Sequence, residues 1–254
     1  MNTEANNVSY APSSVSLEMW PTMPEEFRSS VVRLMSIQAY AEKIAAVGVP
    51  NWINKAPDFR ARRTVARIVA DEARHAFLLY RELEAVGVSE QEADALATGK
   101  DTTSSSLDGP GSLDHDDNGW IEIVMNHMFL DRAGKCMVTN FTETAYTPWA
   151  EACKKIVVDE AMHEGFGFKE FAALVARTTD REALRKSVSH WFAQGLNFFG
   201  PPPGKTQEKL ARLGIKPKDN DTLRAEFRAE VVELLESIDA SDLIALENDQ
   251  YPYR

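Results

Sequence analysis

Apolar positions along the chain recur at helical rather than strand intervals. In residues 24–48, PEEFRSSVVRLMSIQAYAEKIAAVG, Phe27, Val31, Leu34, Met35 and Ile44 follow an acidic first turn, which predicts a helix ended by Gly48 and Pro50. After the loop-like PNWINKAP, a long helix is expected over about residues 58–86, closed at Gly87. A third helix is expected over about 120–144, a break or kink at Thr147-Pro148, and a fourth helix over about 149–175. DREALRKSVSHWFAQGLNFF, a Gly-Pro-Pro-Pro-Gly turn at 200–204 and an amphipathic stretch at 222–238 complete the pattern. No segment alternates with period two, so the expected fold is all-α: a four-helix bundle with extra C-terminal helices.

Residues 1–19 are rich in Ser, Asn and Thr and read as a flexible arm, residues 20–241 as one domain, and residues 242–254 as a tail. Residues 99–118 hold almost nothing apolar and form a long loop of the kind that is functional or mobile. With 28 basic against 39 acidic residues the chain carries a formal charge of -11, which disfavours a nucleic-acid partner, since affinity for phosphate backbones rests on Lys and Arg. No window reaches the about 18 consecutive apolar residues of a membrane span. The N-terminus lacks a basic start followed by an apolar run, and Cys136 and Cys153 cannot make a disulfide framework, so a cytoplasmic location is expected.

Two pentapeptides carry the candidate chemistry. Asp71-Glu72-Ala73-Arg74-His75 and Asp159-Glu160-Ala161-Met162-His163 share the form DEAxH, each in mid-helix. A Glu and a His three residues apart share a helix face and can reach one metal ion. One such pair is commonly an ordinary surface contact. Two pairs are what a dinuclear four-helix site requires, together with one carboxylate from each of the other two helices. Glu42 lies 30 residues before Glu72, and Asp131 lies 29 residues before Glu160, as two helical hairpins related by a pseudo-two-fold axis would place them. Glu143 is the rival to Asp131, at half the expected separation.

The plain alternative is a set of buried acids and histidines held by salt bridges, but uncompensated acids on apolar faces cost several kcal/mol each, and cations offset that cost. Carboxylates with neutral imidazoles suit Fe or Mn, and six ligands point to two ions. The metal ligands expected are therefore Glu42, Glu72, His75, Asp131, Glu160 and His163. Asp71 and Asp159 are expected to accept hydrogen bonds from the non-ligating nitrogens of His163 and His75. His127, one turn before Asp131, reads as a satisfied interior histidine with support of the site as the alternative; His115 and His190 have no partner motif, and the cysteines read as packing residues. Arg60, Arg63, Arg67 and Arg74 form a stripe on the second helix, either a solvated face with intramolecular salt bridges or a contact for an anionic substrate tail or acidic partner.

These motifs resemble the catalytic subunits of bacterial phenylacetyl-CoA and benzoyl-CoA epoxidases, multicomponent di-iron oxygenases. The resemblance runs from about residue 20 to 241 through WPTMPEEFR, NWINKAPDFR, DEARHAFLLY, FLDRAG, AYTPWAEACKKIVVDEAMHEGFGF and FFGPP. In that family the third-helix ligand is an aspartate, which favours Asp131 over Glu143, and all six proposed ligands fall on iron-ligand positions. The resemblance implies a ferritin-like bundle with two Fe ions, O2 as co-substrate, and insertion of one oxygen atom into the aromatic ring of an acyl-CoA. It also implies a separate flavin and iron-sulfur reductase, and an oligomeric assembly with a homologous, non-catalytic partner subunit. Ile68 stands where the family has a lysine, and the 99–118 loop is more polar, so the resemblance leaves the substrate open. A non-CoA substrate, or ferritin-like iron storage, are the other readings; the long loop and the residues after the fourth helix favour an enzyme.

Overall fold

Two helical hairpins form the centre of the molecule. The computed structural model describes residues 8–99 and 119–244. Helix α1 (Glu25–Gly48) opens with Glu25 and Glu26, whose charges suit its positive end, and runs into a 3-10 turn over Val49–Trp52. Asp58 caps α2 (Phe59–Ala85) by accepting from the Ala61 amide at 2.8 Å. The second hairpin pairs α4 (Trp120–Phe141) with α5 (Thr147–Arg177). Pro148 sits in the first turn of α5, where its missing N–H is harmless, so it starts that helix instead of kinking it.

The remaining helices brace this bundle. Helix α3 (Glu90–Thr98), which hydrophobic periodicity did not suggest, begins with a capping box between Ser89 and Glu92 and packs across α1 and α2. Lys43 of α1 reaches both Glu90 and Asp94 of α3 at 2.6 Å, and Tyr80 of α2 donates to Asp94. Helices α6 (Arg181–Phe198) and α8 (Asn220–Glu236) cover α4, while the short α7 (Lys205–Arg212) contributes Leu210 to the core shared by α1, α2 and α5. Among the described residues there is no strand beyond an isolated bridge, in line with the expected all-α, ferritin-like bundle with added C-terminal helices. No described helix is long and apolar enough to cross a membrane.

Both ends of the described chain are held more firmly than their composition suggests. Residues 8–19 fall within the stretch expected to be a flexible arm, yet Val15 is fully buried and hydrogen-bonds to both sides of the α4–α5 turn, from its amide to Ala145 and from its carbonyl to the Thr147 amide. Ser13 donates to the Thr144 carbonyl at 2.9 Å. A single buried valine leaves no periodic signature, so only these backbone partners reveal the contact. At the other end, Leu243 and Ile244 are buried within the core of α4, α6 and α8, so packing extends past residue 241 into the expected tail. Residues 1–7 of the expected arm, 100–118 of the expected loop and 245–254 of the tail lie outside the described residues.

One close approach sets the spacing of the second hairpin. A Cβ on Gly167 would lie 2.5 Å from the backbone carbon of His127, so only glycine lets α5 pass α4 at this level, one turn beyond His163.

Candidate metal centre

The DEAxH segments face each other across the bundle with reciprocal contacts. His75 Nε2 lies 3.3 Å from Asp159, and His163 Nε2 lies 3.5 Å from Asp71, so α2 and α5 run antiparallel and each pentapeptide supplies the aspartate behind the other's histidine. The opposite ring nitrogens face inward. His75 Nδ1 is 3.4 Å from Glu42, 3.4 Å from Glu160 and 4.0 Å from Glu72. His163 Nδ1 is 3.3 Å from Glu72 and 3.5 Å from Glu160. Glu42, Glu72, His75 and Glu160 each offer a ligand atom, all within 4.8 Å of one another. Both histidines are fully buried, and Glu72 and Glu160 nearly so.

Two observations test whether this donor set fits metal ions. Both inward Nδ1 atoms are buried without a hydrogen-bond partner, a costly state for an imidazole nitrogen unless a cation takes the lone pair. The outward Nε2 atoms meet carboxylates, the arrangement that fixes the tautomer of a metal-binding histidine. The electrostatics agree. Burial opposes protonation of both histidines, but the carboxylates around them prevail, raising His75 to about 10 and His163 to about 11. Burial, with Glu42 and Glu160 alongside, holds Glu72 well above the usual carboxylate range; Glu160 resists burial and is drawn down to about 2 by His163 and His75. The cluster demands positive charge, and the residues present suit divalent ions of the Fe or Mn type.

The symmetry breaks at Asp131. Its carboxylate does not join the cluster; it accepts instead from Nδ1 of His127, one turn earlier on α4. Aspartate is one methylene shorter than the glutamate at the equivalent position, and it meets the nearer donor. His127 is buried between the edges of Trp52 and Phe166, at ring-centroid distances of 5.5 and 5.7 Å, and its Nε2 has no hydrogen-bond partner. Its interior position was legible in the sequence, but its hydrogen bonding is only half satisfied.

Arg74 belongs to the stripe read from the sequence as a solvated face with intramolecular salt bridges, and it makes such bridges beside the cluster. Its guanidinium donates to Asp71 at 2.9 Å and to Asp159 at 2.6 Å, joining the two aspartates that hold the histidines. The signal available was its place inside the first pentapeptide, between two acids that the repeat brings together. Arg60, Arg63 and Arg67 are exposed on the outside of α2, away from the cluster, and Arg67 reaches only Asp71, at 3.5 Å. Along the helices below the site, buried Gln38 accepts from Trp149 Nε1 at 2.7 Å and from Cys153 at 3.5 Å. Cys136 and Cys153 are free thiols, and burial pushes Cys136 up to about 12, consistent with packing roles. His190 is exposed on α6, and His115 lies outside the described residues.

Comparison with known proteins places this geometry in context. The family described as "Phenylacetic acid catabolic protein" matches residues 13–241. The chain is 26% identical over 209 residues to one of the subunits of the 1,2-phenylacetyl-CoA epoxidase of Escherichia coli (strain K12), covering 81% of this chain and 66% of that protein. It is 25% identical over 170 residues to the benzoyl-CoA oxygenase component B of Aromatoleum evansii, covering 64% of this chain and 35% of that protein. The matched region thus spans just under two thirds of the first relative and about a third of the second.

Proposed function

Because the chain belongs to the phenylacetic acid catabolic protein family, we propose that it is the metal-bearing component of a multicomponent monooxygenase acting on an aromatic acyl-CoA. The ligands are Glu42, Glu72, His75, Asp131, Glu160 and His163. The observation that carries this reading is the pair of buried, unpartnered Nδ1 atoms facing three glutamates. Two Fe ions there would supply the redox chemistry that reduces O2 and delivers one oxygen atom to the ring.

The chain's own residues have separable tasks. Asp159 and Asp71 hold His75 and His163 in the tautomer that leaves Nδ1 free to bind, and Arg74 fixes both aspartates at once. Glu72 and Glu160 each lie near both histidines and would offer carboxylate oxygens to bound metal, while of the two histidines Glu42 approaches only His75. In this reading Asp131 would complete the donor set from α4 when metal is bound, and His127 holds its carboxylate here. Trp52, Ile68, Ile123, Met162 and Phe166 share one apolar cluster, and Trp52 and Phe166 meet the ring of His127, so the surroundings of that ring are apolar. Electrons come from a separate flavin and iron-sulfur reductase, and the assembly includes a homologous non-catalytic subunit.

The test measures iron per chain and then substrate-dependent O2 consumption with a reductase and a panel of CoA thioesters. About two irons per chain are expected, with most lost in Glu72→Ala and His163→Ala, and 18O2 is expected to add one labelled oxygen to the aromatic product. Full iron in both variants overturns the site, and iron turnover without organic product favours a storage role.

A further inference from the structure

The reciprocal symmetry of the metal site continues onto the outside of the bundle. The pentapeptides repeat at an interval of 88 residues, from Asp71 to Asp159, and at that same interval Arg67 of α2 matches Lys155 of α5, and Arg81 matches Lys169. All four are exposed. The outer face of α2 and α5 therefore carries two symmetry-related pairs of cations on a chain whose net charge is -11. Between the cations along α2 and α5 respectively come Phe77, 60% exposed, and Val158, 73% exposed.

Internal pairing does not account for this charge. Arg81, Lys155 and Lys169 form no ion pair with any described residue; Arg81 lies only over the Phe77 ring, 5.8 Å from its centroid, and Arg67 meets Asp71 at a loose 3.5 Å. On α2 the basic stripe runs from Arg60 to Arg81, about 31 Å at the helical rise per residue. Its members are exposed side chains on the outside of α2, whereas sites that enclose small ligands are concave. An apolar middle within a charged rim is the anatomy of a protein interface, and the charge would steer a partner of opposite sign.

We infer that the outer face of α2 and α5 docks an acidic protein, the electron donor to the metal centre. The inference rests on the metal-centre reading above for its purpose, but not for the docking itself. Arg74 gives the reason for this location. It is 45% exposed at this face, and its guanidinium bonds the aspartates that hold His75 and His163, so one arginine, one aspartate and one histidine lead from solvent to the site. With iron bound, each encounter would pass one electron from the reduced donor to one ferric ion, with no bond made or broken, and two encounters would reduce two ions.

The experiment uses the full chain, with and without iron, and an acidic plant-type [2Fe–2S] ferredoxin as the probe. Calorimetry at low salt is expected to show one-to-one binding to both forms, weakened at least 10-fold between 20 and 200 mM NaCl, concentrations chosen to shorten the screening length. Two charge-reversed variants, Arg67→Glu with Lys155→Glu and Arg81→Glu with Lys169→Glu, are each expected to weaken binding at least 10-fold while their circular dichroism stays that of the parent. Lys186→Glu, on exposed α6, is expected to bind normally. In the iron-loaded chain, stopped-flow reduction by ferredoxin slows in the two double variants, whereas reduction by dithionite does not. Absence of ferredoxin binding, binding as tight as the parent's in either double variant, equal weakening in Lys186→Glu, stoichiometric displacement by free CoA, or coverage of this face by self-association each overturns the inference. A chain that takes up no iron but still binds ferredoxin through these cations removes the oxygenase reading and leaves the docking surface standing.

Discussion

At the scale of single residues, Arg74 distinguishes two halves that otherwise repeat. The equivalent position in the second pentapeptide is Met162, so one guanidinium serves both outer aspartates. Without it, Asp71 and Asp159 would face each other with no shared cation, and their hold on His163 and His75 would loosen. Arg74→Met, which gives the first half the residue found in the second, is expected to weaken iron binding about 10- to 100-fold, the usual cost of losing such support. Titration of the apo-protein with Fe(II) checks it, and unchanged affinity would show that the aspartates keep their positions unaided. Asp131 teaches the complementary lesson. Its spacing from Glu160 and its place one turn after His127 were legible in the sequence, but which partner its carboxylate takes was not, because i,i+4 neighbours on a helix compete with partners from other helices.

At the scale of elements, α5 contains two glycines with opposite meanings. Gly167 sits against the His127 backbone, whereas a Cβ on Gly165 would meet nothing within 4 Å. Gly167→Ala must push α4 and α5 apart, at about 1–3 kcal/mol for overpacking. Gly165→Ala relieves the glycine penalty inside a helix and should stabilise by up to about 1 kcal/mol. Thermal unfolding of the two variants is therefore expected to move Tm in opposite directions, by about 2–4 °C per kcal/mol. A fall in both would place Gly165 under a constraint that the geometry does not contain. The four long helices were legible because each buries a regular apolar face. Helix α3 was not: it is only nine residues long, and its one local mark, the Ser89–Glu92 capping box, resembles many turns. It is the ties from Lys43 and Tyr80 that hold it in place.

At the scale of the whole molecule, a core containing Glu42, Glu72, Glu160 and two buried histidines is a concentration of charge that folding must offset. Metal ions that bind the folded chain alone add stability by mass action, about 2.7 kcal/mol at a free concentration 100 times Kd. Fe(II) added anaerobically is thus expected to raise Tm by several degrees in the parent chain and to leave His163→Ala almost unmoved; equal shifts in both would mean the ions bind elsewhere. The sequence by itself determined the helical class and the repeated Glu-x-x-His pairs, because both follow from local periodicity: 3.6 residues per turn places i and i+3 on one face whatever surrounds them. Only the tertiary structure decided that Arg74 joins the two aspartates already expected to support the histidines, that Asp131 rests on His127 and that Val15 is bound at the α4–α5 turn. Those contacts join segments far apart in the chain or depend on competition among neighbours, and the pairing of such groups is set by how the hairpins dock, which no local pattern of residues encodes.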